Sequence, residues 1–447
     1  MAESVAVSPA RRGEVVDALR RGTVPQAGLD LFAVGMERFE RAIDEELDGI
    51  AAGRATFKAV RGEYGSGKTF FARWLAERAK RRGMAAAEVQ ISETETPLHK
   101  LETVYRRLVE QLSTAGYPPS ALREIVDAWF YTLEEDVLAG GAVSADDADE
   151  FAVAVDELME RRLGDVARTT PAFASVLRAY RKAILGGDTA TAQTLIAWLG
   201  GQPNVAASTK RAAGVKGDLD HFAALGFLQG LLTILRDSGH PGLLLVLDEI
   251  ETLQRVRSDV RDKGLNALRQ LIDDVDSGRF PGLYLLITGT PAFFDGPQGV
   301  ARLTPLAQRL ATDFGTDSRF DSPRAVQVRL TGFDLAKLAK LGSAIRSVYA
   351  SGLEEAARER IQKLVDDAYL HDLASAVAGE LGGQVGVAPR VFLRKLVADV
   401  LDRVAEFDDF DPRLHYKLTL APTELTSVER NAAAFRAETA DDVELEL

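Results

Sequence analysis

The chain has no cysteine among its 447 residues, which excludes disulfides, thiolate nucleophiles and cysteine-ligated zinc. Histidine is scarce too. The five, at 99, 221, 240, 371 and 415, never fall at a metal-ligand spacing, so each reads as a surface or capping residue. There is no apolar run of membrane-spanning length, and the opening MAESVAVSPARRG lacks the apolar stretch of a signal peptide, so a cytoplasmic protein with no membrane partner is expected. Positive charge is in deficit: 54 Lys and Arg stand against 67 Asp and Glu. The net charge of −13 argues against coating nucleic acid through bulk charge and leaves open only a local basic groove. Apolar residues are plentiful, at 46%, enough for a large core in two or three domains or in one domain carrying insertions.

The most informative stretch is RGEYGSGKTF, 61–70. Residues 62–69 satisfy G-x-x-x-x-G-K-[ST], between a β-prone segment at 56–60 and a helical one at 70–80. A phosphate chain carries several negative charges on a narrow rod, and a loop whose N–H groups all point inward can hold it. Glycine at Gly62, Gly65 and Gly67 removes the Cβ atoms that would block that approach. Lys68 then reaches the β- and γ-phosphates, the Thr69 hydroxyl holds Mg²⁺, and Glu63, Tyr64, Ser66 and Phe70 complete the nucleotide-contacting stretch. Chance matches to the pattern arise in on the order of one chain in a hundred of this length, before the strand and helix context is counted. Ahead of the loop, an opening helix at 14–21 is broken by VPQAGLDLFAVG, 24–35. In P-loop proteins such a segment often folds across the adenine, which makes Val24 and Pro25 candidate base contacts; a linker packing on the core is the alternative.

A second diagnostic run is GLLLVLDEIETL, in which five aliphatic residues, 243–247, end in Asp248 and Glu249. Carboxylates are costly inside a core, so the pair marks where a buried strand emerges into a site. Asp248 suits the Mg²⁺ held by Thr69, and Glu249 suits a general base that polarises the attacking water. The strand 283–287 runs into TGTP, where Thr288, or Thr290 as second candidate, is placed to orient that water; capping of the turn before Pro291 is the alternative. Strands at 56–60, 85–91, 243–247, 283–287 and 325–330 predict an α/β P-loop NTPase with a five-stranded parallel sheet.

The gap between the second and third strands is too long for a connection. Residues 120–217 therefore read as a large helical insertion that folds on its own, with helices at 121–139, 147–163, 171–185 and 189–199. Within it the acidic run at 146–150 reads as a solvated helix start. The basic stretch STKRAAGVK, 208–216, reads as an exposed loop, with a mobile phosphate-meeting loop as the alternative. Helices at 334–349, 353–377 and 389–407 predict a C-terminal helical lid domain. The tail carries one strand, at 415–420, and an acidic end, 438–447, expected to be poorly ordered. The domain reading is N-terminal helices and adenine-side segment at 1–55, ATPase core at 56–330, lid at 331–407 and tail at 408–447.

GEYGSGKT, LLLVLDEIETL, the strand ending in TGTP and the helix opening APRVFLRKL together resemble an AAA+ ATPase of the branch that includes replication initiators. DALRRGTVPQAGLDLFAVG running into RGEYGSGKTF is similar to the ATP-binding proteins of bacterial BREX and related phage-defence loci, the short, single-ATPase type. The resemblance spans about residues 15–407, apart from much of the insertion. It implies ATP and Mg²⁺ as ligands, Thr288 as sensor 1, Arg390 as sensor 2, and Arg302 or Arg309 as an arginine finger, Arg309 acting in trans within a homo-oligomer; the alternative for both arginines is surface pairing with Asp313 or Asp317. It also implies a defence-system partner such as a helicase and action on or near DNA. Unlike the initiators, the chain has no recognisable winged helix, which weakens the case for autonomous DNA binding. Two function classes follow: a motor or loader that remodels DNA or a DNA-bound partner, or a nucleotide-dependent assembly switch with slow turnover.

Overall fold

The computed structural model describes residues 8–437, apart from 142, 144, 145, 316, 384, 385 and 387. At its centre is a parallel sheet of five strands, β1 (Thr56–Arg61), β2 (Ala85–Gln90), β3 (Leu243–Asp248), β4 (Leu283–Gly289) and β5 (Gln327–Arg329), in the order β2-β3-β4-β1-β5. The two central strands LLLVLD and LYLLITG are buried at every position. Their residues divide by alternation. Leu243, Leu245, Leu247, Leu283, Leu285 and Ile287 pack on one face, while Leu244, Val246, Tyr284 and Leu286 pack on the other. A continuous apolar run with period two is what a parallel strand covered on both faces requires.

One face is covered by two helices, Glu37–Ala51 and Lys68–Arg81, through Phe39, Ile43, Leu47 and Ile50 meeting Phe71 and Trp74. The other face carries Leu101–Gln111, His221–Asp237 and Ser258–Asp276, and the cluster that begins on the sheet runs without interruption into the insertion. Phe227 joins the parts. Its ring meets Tyr105 at 5.8 Å, Phe173 at 5.2 Å and Trp198 at 5.5 Å, all edge-on. The core of the insertion is thus continuous with that of the sheet rather than separate from it, as expected of a unit that folds by itself: its helices extend the cover on this face.

A third cluster joins the two ends of the chain. Val15, Val16 and Leu19 of the first helix, Pro9–Arg20, pack with Leu370, Phe392 and Leu401 of the C-terminal helices, and Arg20 donates to both carboxylate oxygens of Asp402, at 2.7 and 2.9 Å.

Several local expectations change. The first helix starts at Pro9, capped by Ser8, rather than at 14. The stretch 208–216 is a loop only in its second half: a short helix, Ala207–Ala212, takes the first, Lys210 bonds Asp218 at 3.0 Å, and Ala213 and Val215 are buried in the turn that follows. The helix at 353–377 is two, Glu355–Leu364 and Asp367–Glu380, because Asp366 accepts from the Tyr369 N–H and caps the second. At 415–420 there is no strand. Tyr416, Leu418 and Leu420 do turn alternately onto the C-terminal cluster, so the period of two is real, but no second strand lies alongside. A helix at Ser427–Ala437 was not anticipated, and the acidic end at 438–447 lies outside the described residues. The acidic run does open a helix, Ala148–Arg162, with Asp147 as its cap.

Because sheet and insertion share one core, Phe227→Ala should destabilise both together, by about 3–5 kcal/mol as for other buried aromatic truncations. Denaturant unfolding should then show one transition by circular dichroism and tryptophan fluorescence alike, displaced as a whole; two separated transitions would contradict the shared core.

Candidate nucleotide site

The site forms at the C-terminal edge of the sheet, where β1 leads into the phosphate loop. Gly67 takes φ +92° and stands as the cap of the Lys68–Arg81 helix, a backbone shape that a side chain strains. At Gly62 a Cβ would lie 2.2 Å from Ser66 Oγ, so the loop closes on itself only without one. The N–H groups of the first helical turn have no carbonyl of their own helix to meet, and they converge at this loop.

The polar side chains gather around one carboxylate. Asp248, 5% exposed, accepts from Thr69 Oγ1 at 3.2 Å, from the Glu249 N–H at 3.1 Å and from the Thr288 hydroxyl. Parallel pairing brings these together: Val60 stands opposite Thr288 and Leu247 opposite Ile287. Lys68 Nζ donates to the carbonyls of Gly62 at 2.9 Å and Glu63 at 3.3 Å. Burial draws the Lys68 ammonium below the ordinary lysine range, against the pull of the Glu251 and Asp248 carboxylates.

Glu249 adopts a left-handed backbone, φ 58°, which is strained for a residue with a Cβ, and its carboxylate accepts from Gln90 Nε2 at 2.8 Å. Glu251 is 5% exposed, its Oε2 has no hydrogen-bond partner among the described residues, and burial pushes its carboxyl upward, helped by Glu249 and Asp248 and opposed by Lys68.

Above the loop lies a cavity of about 260 Å³. Its wall runs from Tyr64, Gly65, Ser66 and Gly67 past Thr69, Asp248 and Glu249 to an apolar end that includes Val24, Pro25, Phe32, Val34 and Leu393. The 24–35 segment is fastened to the phosphate-loop helix rather than loosely packed. Glu77 accepts from the N–H groups of Gly28 at 3.2 Å and Leu29 at 2.9 Å, Arg73 donates to the Val24 carbonyl, and Phe32 meets Phe70 edge-on at 5.2 Å.

Most of the expected residues therefore meet: Gly62, Glu63, Tyr64, Gly65, Ser66, Gly67, Lys68, Thr69 and Phe70 form the loop and its first turn, with Asp248 and Glu249 facing it. Val24, Pro25 and Arg390 reach the same cavity from the far side. Thr288 is fully buried behind Asp248 and touches the cavity only through Asp248 and Glu249, while Thr290 is buried at the turn before Pro291. Arg302 and Arg309 do not reach it. Arg302 pairs with Asp262, and Arg309 pairs with Asp273 and donates to the Pro305 carbonyl at 2.7 Å. The Asp313 and Asp317 partners that the sequence brings to mind are not used. Gln90 and Glu251 were missed, although each leaves a mark in the sequence, a polar residue closing the run AAAEVQ and a third carboxylate in DEIE.

The residues fit a nucleoside triphosphate and its cation. Buried Ser66 Oγ has no hydrogen-bond partner among the described residues, and the carbonyls around Lys68 are oxygen acceptors of the kind a phosphate offers. Among the described residues no cluster of three His, Asp or Glu could hold a metal alone. A Mg²⁺ beside Thr69 and Asp248 would take its remaining ligands from phosphate and water, its usual mode. No helix among the described residues is long and apolar enough to cross a membrane.

Compared with known families, residues 7–420 match the model described as BREX system ATP-binding protein BrxC/D. No curated protein matches the chain.

Glu77 carries the apolar end of the cavity, so Glu77→Ala should release the 24–35 segment. Two backbone N–H groups and Arg11 lose a carboxylate acceptor, costing about 1–3 kcal/mol. Thermal melts should show that loss together with a smaller upward shift on adding Mg²⁺-ATP than the unaltered chain shows; an unchanged shift would remove the segment from the site.

Proposed function

The chain belongs to the BREX system ATP-binding proteins BrxC/D, and from that premise we propose that it hydrolyses the ATP it binds, coupling turnover to remodelling of, or loading onto, DNA or a DNA-bound partner. The observation that carries this reading is the convergence of Lys68, Thr69, Asp248 and Glu249 on one cavity. A protein that only holds nucleotide needs the cation and the loop; it has no use for a carboxylate beyond the metal position.

In this reading the loop N–H groups and Lys68 bind the β- and γ-phosphates, and Thr69 and Asp248 hold Mg²⁺. The metal supplies charge neutralisation at the phosphate oxygens. Glu249, once free of Gln90, orients and deprotonates the attacking water, and Thr288 fixes Glu249 through its backbone N–H and Asp248 through its carboxylate. Val24 and Pro25 cover the base. Charge developing on the γ-phosphoryl needs a further cation. Arg390 on the cavity wall serves within the chain. Arg309, released from Asp273, serves in trans across a homo-oligomer boundary. The units at work are the core at 56–330 with its insertion at 120–217, the lid at 331–407, and the flanking segments 1–55 and 408–447. A helicase of the defence locus is the partner class we favour.

One observation supports the slower alternative, an assembly switch without motor activity: the Glu249 carboxylate is engaged by Gln90 and Arg309 by Asp273, so each must give up a partner before it can serve hydrolysis.

In this mechanism Lys68→Ala abolishes ATP binding, whereas Glu249→Gln keeps binding and blocks turnover. Equal hydrolysis by Glu249→Gln and the unaltered chain would reject the base. Mixing Lys68→Ala with Arg309→Ala in equal amounts should restore hydrolysis if the arginine crosses a subunit boundary; no recovery would reject the trans role. Turnover stimulated by DNA favours the motor, and slow turnover indifferent to DNA favours the switch.

A further inference from the structure

Arg390 is gripped from behind by the end of the chain. Its Nε donates to Glu429 Oε1 at 2.8 Å, and its Nη2 donates to Glu429 Oε2 and to the Glu424 carbonyl at 2.7 Å. The Glu429 side chain is 5% exposed. Its rotamer is fixed by the start of the Ser427–Ala437 helix, where the Thr426 N–H donates to Glu429 Oε2 at 2.7 Å and the Glu429 N–H donates to Thr426 Oγ1 at 3.3 Å, a reciprocal cap. Burial acts to raise the Glu429 carboxyl, but its bonds to Arg390 and to the Thr426 N–H outweigh that, and it stays below the ordinary glutamate range.

Glu424 adds a second clamp: its carboxylate takes Lys395 at 3.0 Å and lies 3.5 Å from Arg394. Ala432, one turn beyond Glu429, is buried against the C-terminal helices. The third guanidinium nitrogen, Nη1, is not engaged by the tail. It faces Gly22, where a Cβ would stand 3.1 Å from it, and Gly22 and Arg390 both line the cavity over the phosphate loop.

We propose that Glu429 is a positioning residue for Arg390: it holds two of the three guanidinium nitrogens so that Nη1 stays presented to the nucleotide, which makes the tail helix a working part of the ATP site. The inference deepens the reading of this cavity as the ATP site and rests on it. A free arginine carries about 2 kcal/mol of rotamer entropy, and a bidentate carboxylate removes most of that freedom before the ligand arrives. The carboxylate stands behind the arginine and is not part of the cavity wall, so it fixes the cation without facing the phosphates itself.

The test measures ATP and ADP affinity with Mg²⁺, together with melting midpoints, on the full chain and on Lys68→Ala, Arg390→Ala, Glu429→Ala, Glu429→Gln and the Arg390→Ala/Glu429→Ala double variant. Glu429→Ala and Arg390→Ala should each cut the preference for ATP over ADP by about tenfold, the range of a charge-assisted hydrogen bond, and the double variant no further. Glu429→Gln, which keeps one acceptor, should fall between. The proposal is overturned if Glu429→Ala lowers only the melting midpoint, if it changes the preference equally with and without Arg390, or if it tightens ATP binding, which would mean that the tail sequesters the arginine. ATP affinity unchanged by Lys68→Ala would instead reject the site itself and the positioning role with it.

Discussion

A buried carboxylate fixes how the site end of this sheet must be built. Asp248 closes a strand with no exposed residue, and a charged group there is tolerated only when its oxygens are met by donors. The donors come from three places: Thr69 on the phosphate-loop helix, Thr288 at the end of β4, and the Glu249 N–H of its own chain. That requirement holds β3 beside β4 and β4 beside β1. A slip of one residue between them would turn Thr288 to the opposite face and strand the charge. The site edge of the sheet and the core are thus set by the same register.

Around that node the polar and apolar halves of the cavity come from different layers. The loop and strand ends supply the charged half, while the apolar half includes a thin segment, 24–35, that could not hold its shape alone. Glu77 and Arg73 do so from the phosphate-loop helix. One helix therefore organises both halves, with Lys68 and Thr69 in its first turn and Arg73 and Glu77 one and two turns later.

The sheet and the phosphate side were legible in the sequence because each rests on a local signature: glycines at fixed spacing, aliphatic runs of strand length, carboxylates at a strand end. What stayed hidden depends on partners distant in the chain. Periodicity marks Phe227 as buried but cannot say that it meets Tyr105, Phe173 and Trp198, so the insertion looked self-contained. Arg390 announces a helix start, yet its partner Glu429 lies 39 residues on, in a stretch as polar as any tail. Arg309 takes Asp273, 36 residues back, although Asp313 and Asp317 are nearer in sequence. The alternating 415–420 segment misled in a different way. Alternation reports one buried side, and a single chain laid across helices satisfies it as well as a strand does.

The packing of Pro9–Arg20 with the C-terminal helices has a mechanical consequence. Because the first and last thirds of the chain meet there, the helical layer over the cavity is joined to the sheet by two covalent crossings, at 21–36 and at 330–334, rather than one. A body hung from two tethers turns about the line between them and does not swivel freely. Any movement of that layer against the sheet is thereby limited to rotation about that line, and one of the two straps, 21–36, contains the segment that lines the apolar end of the cavity.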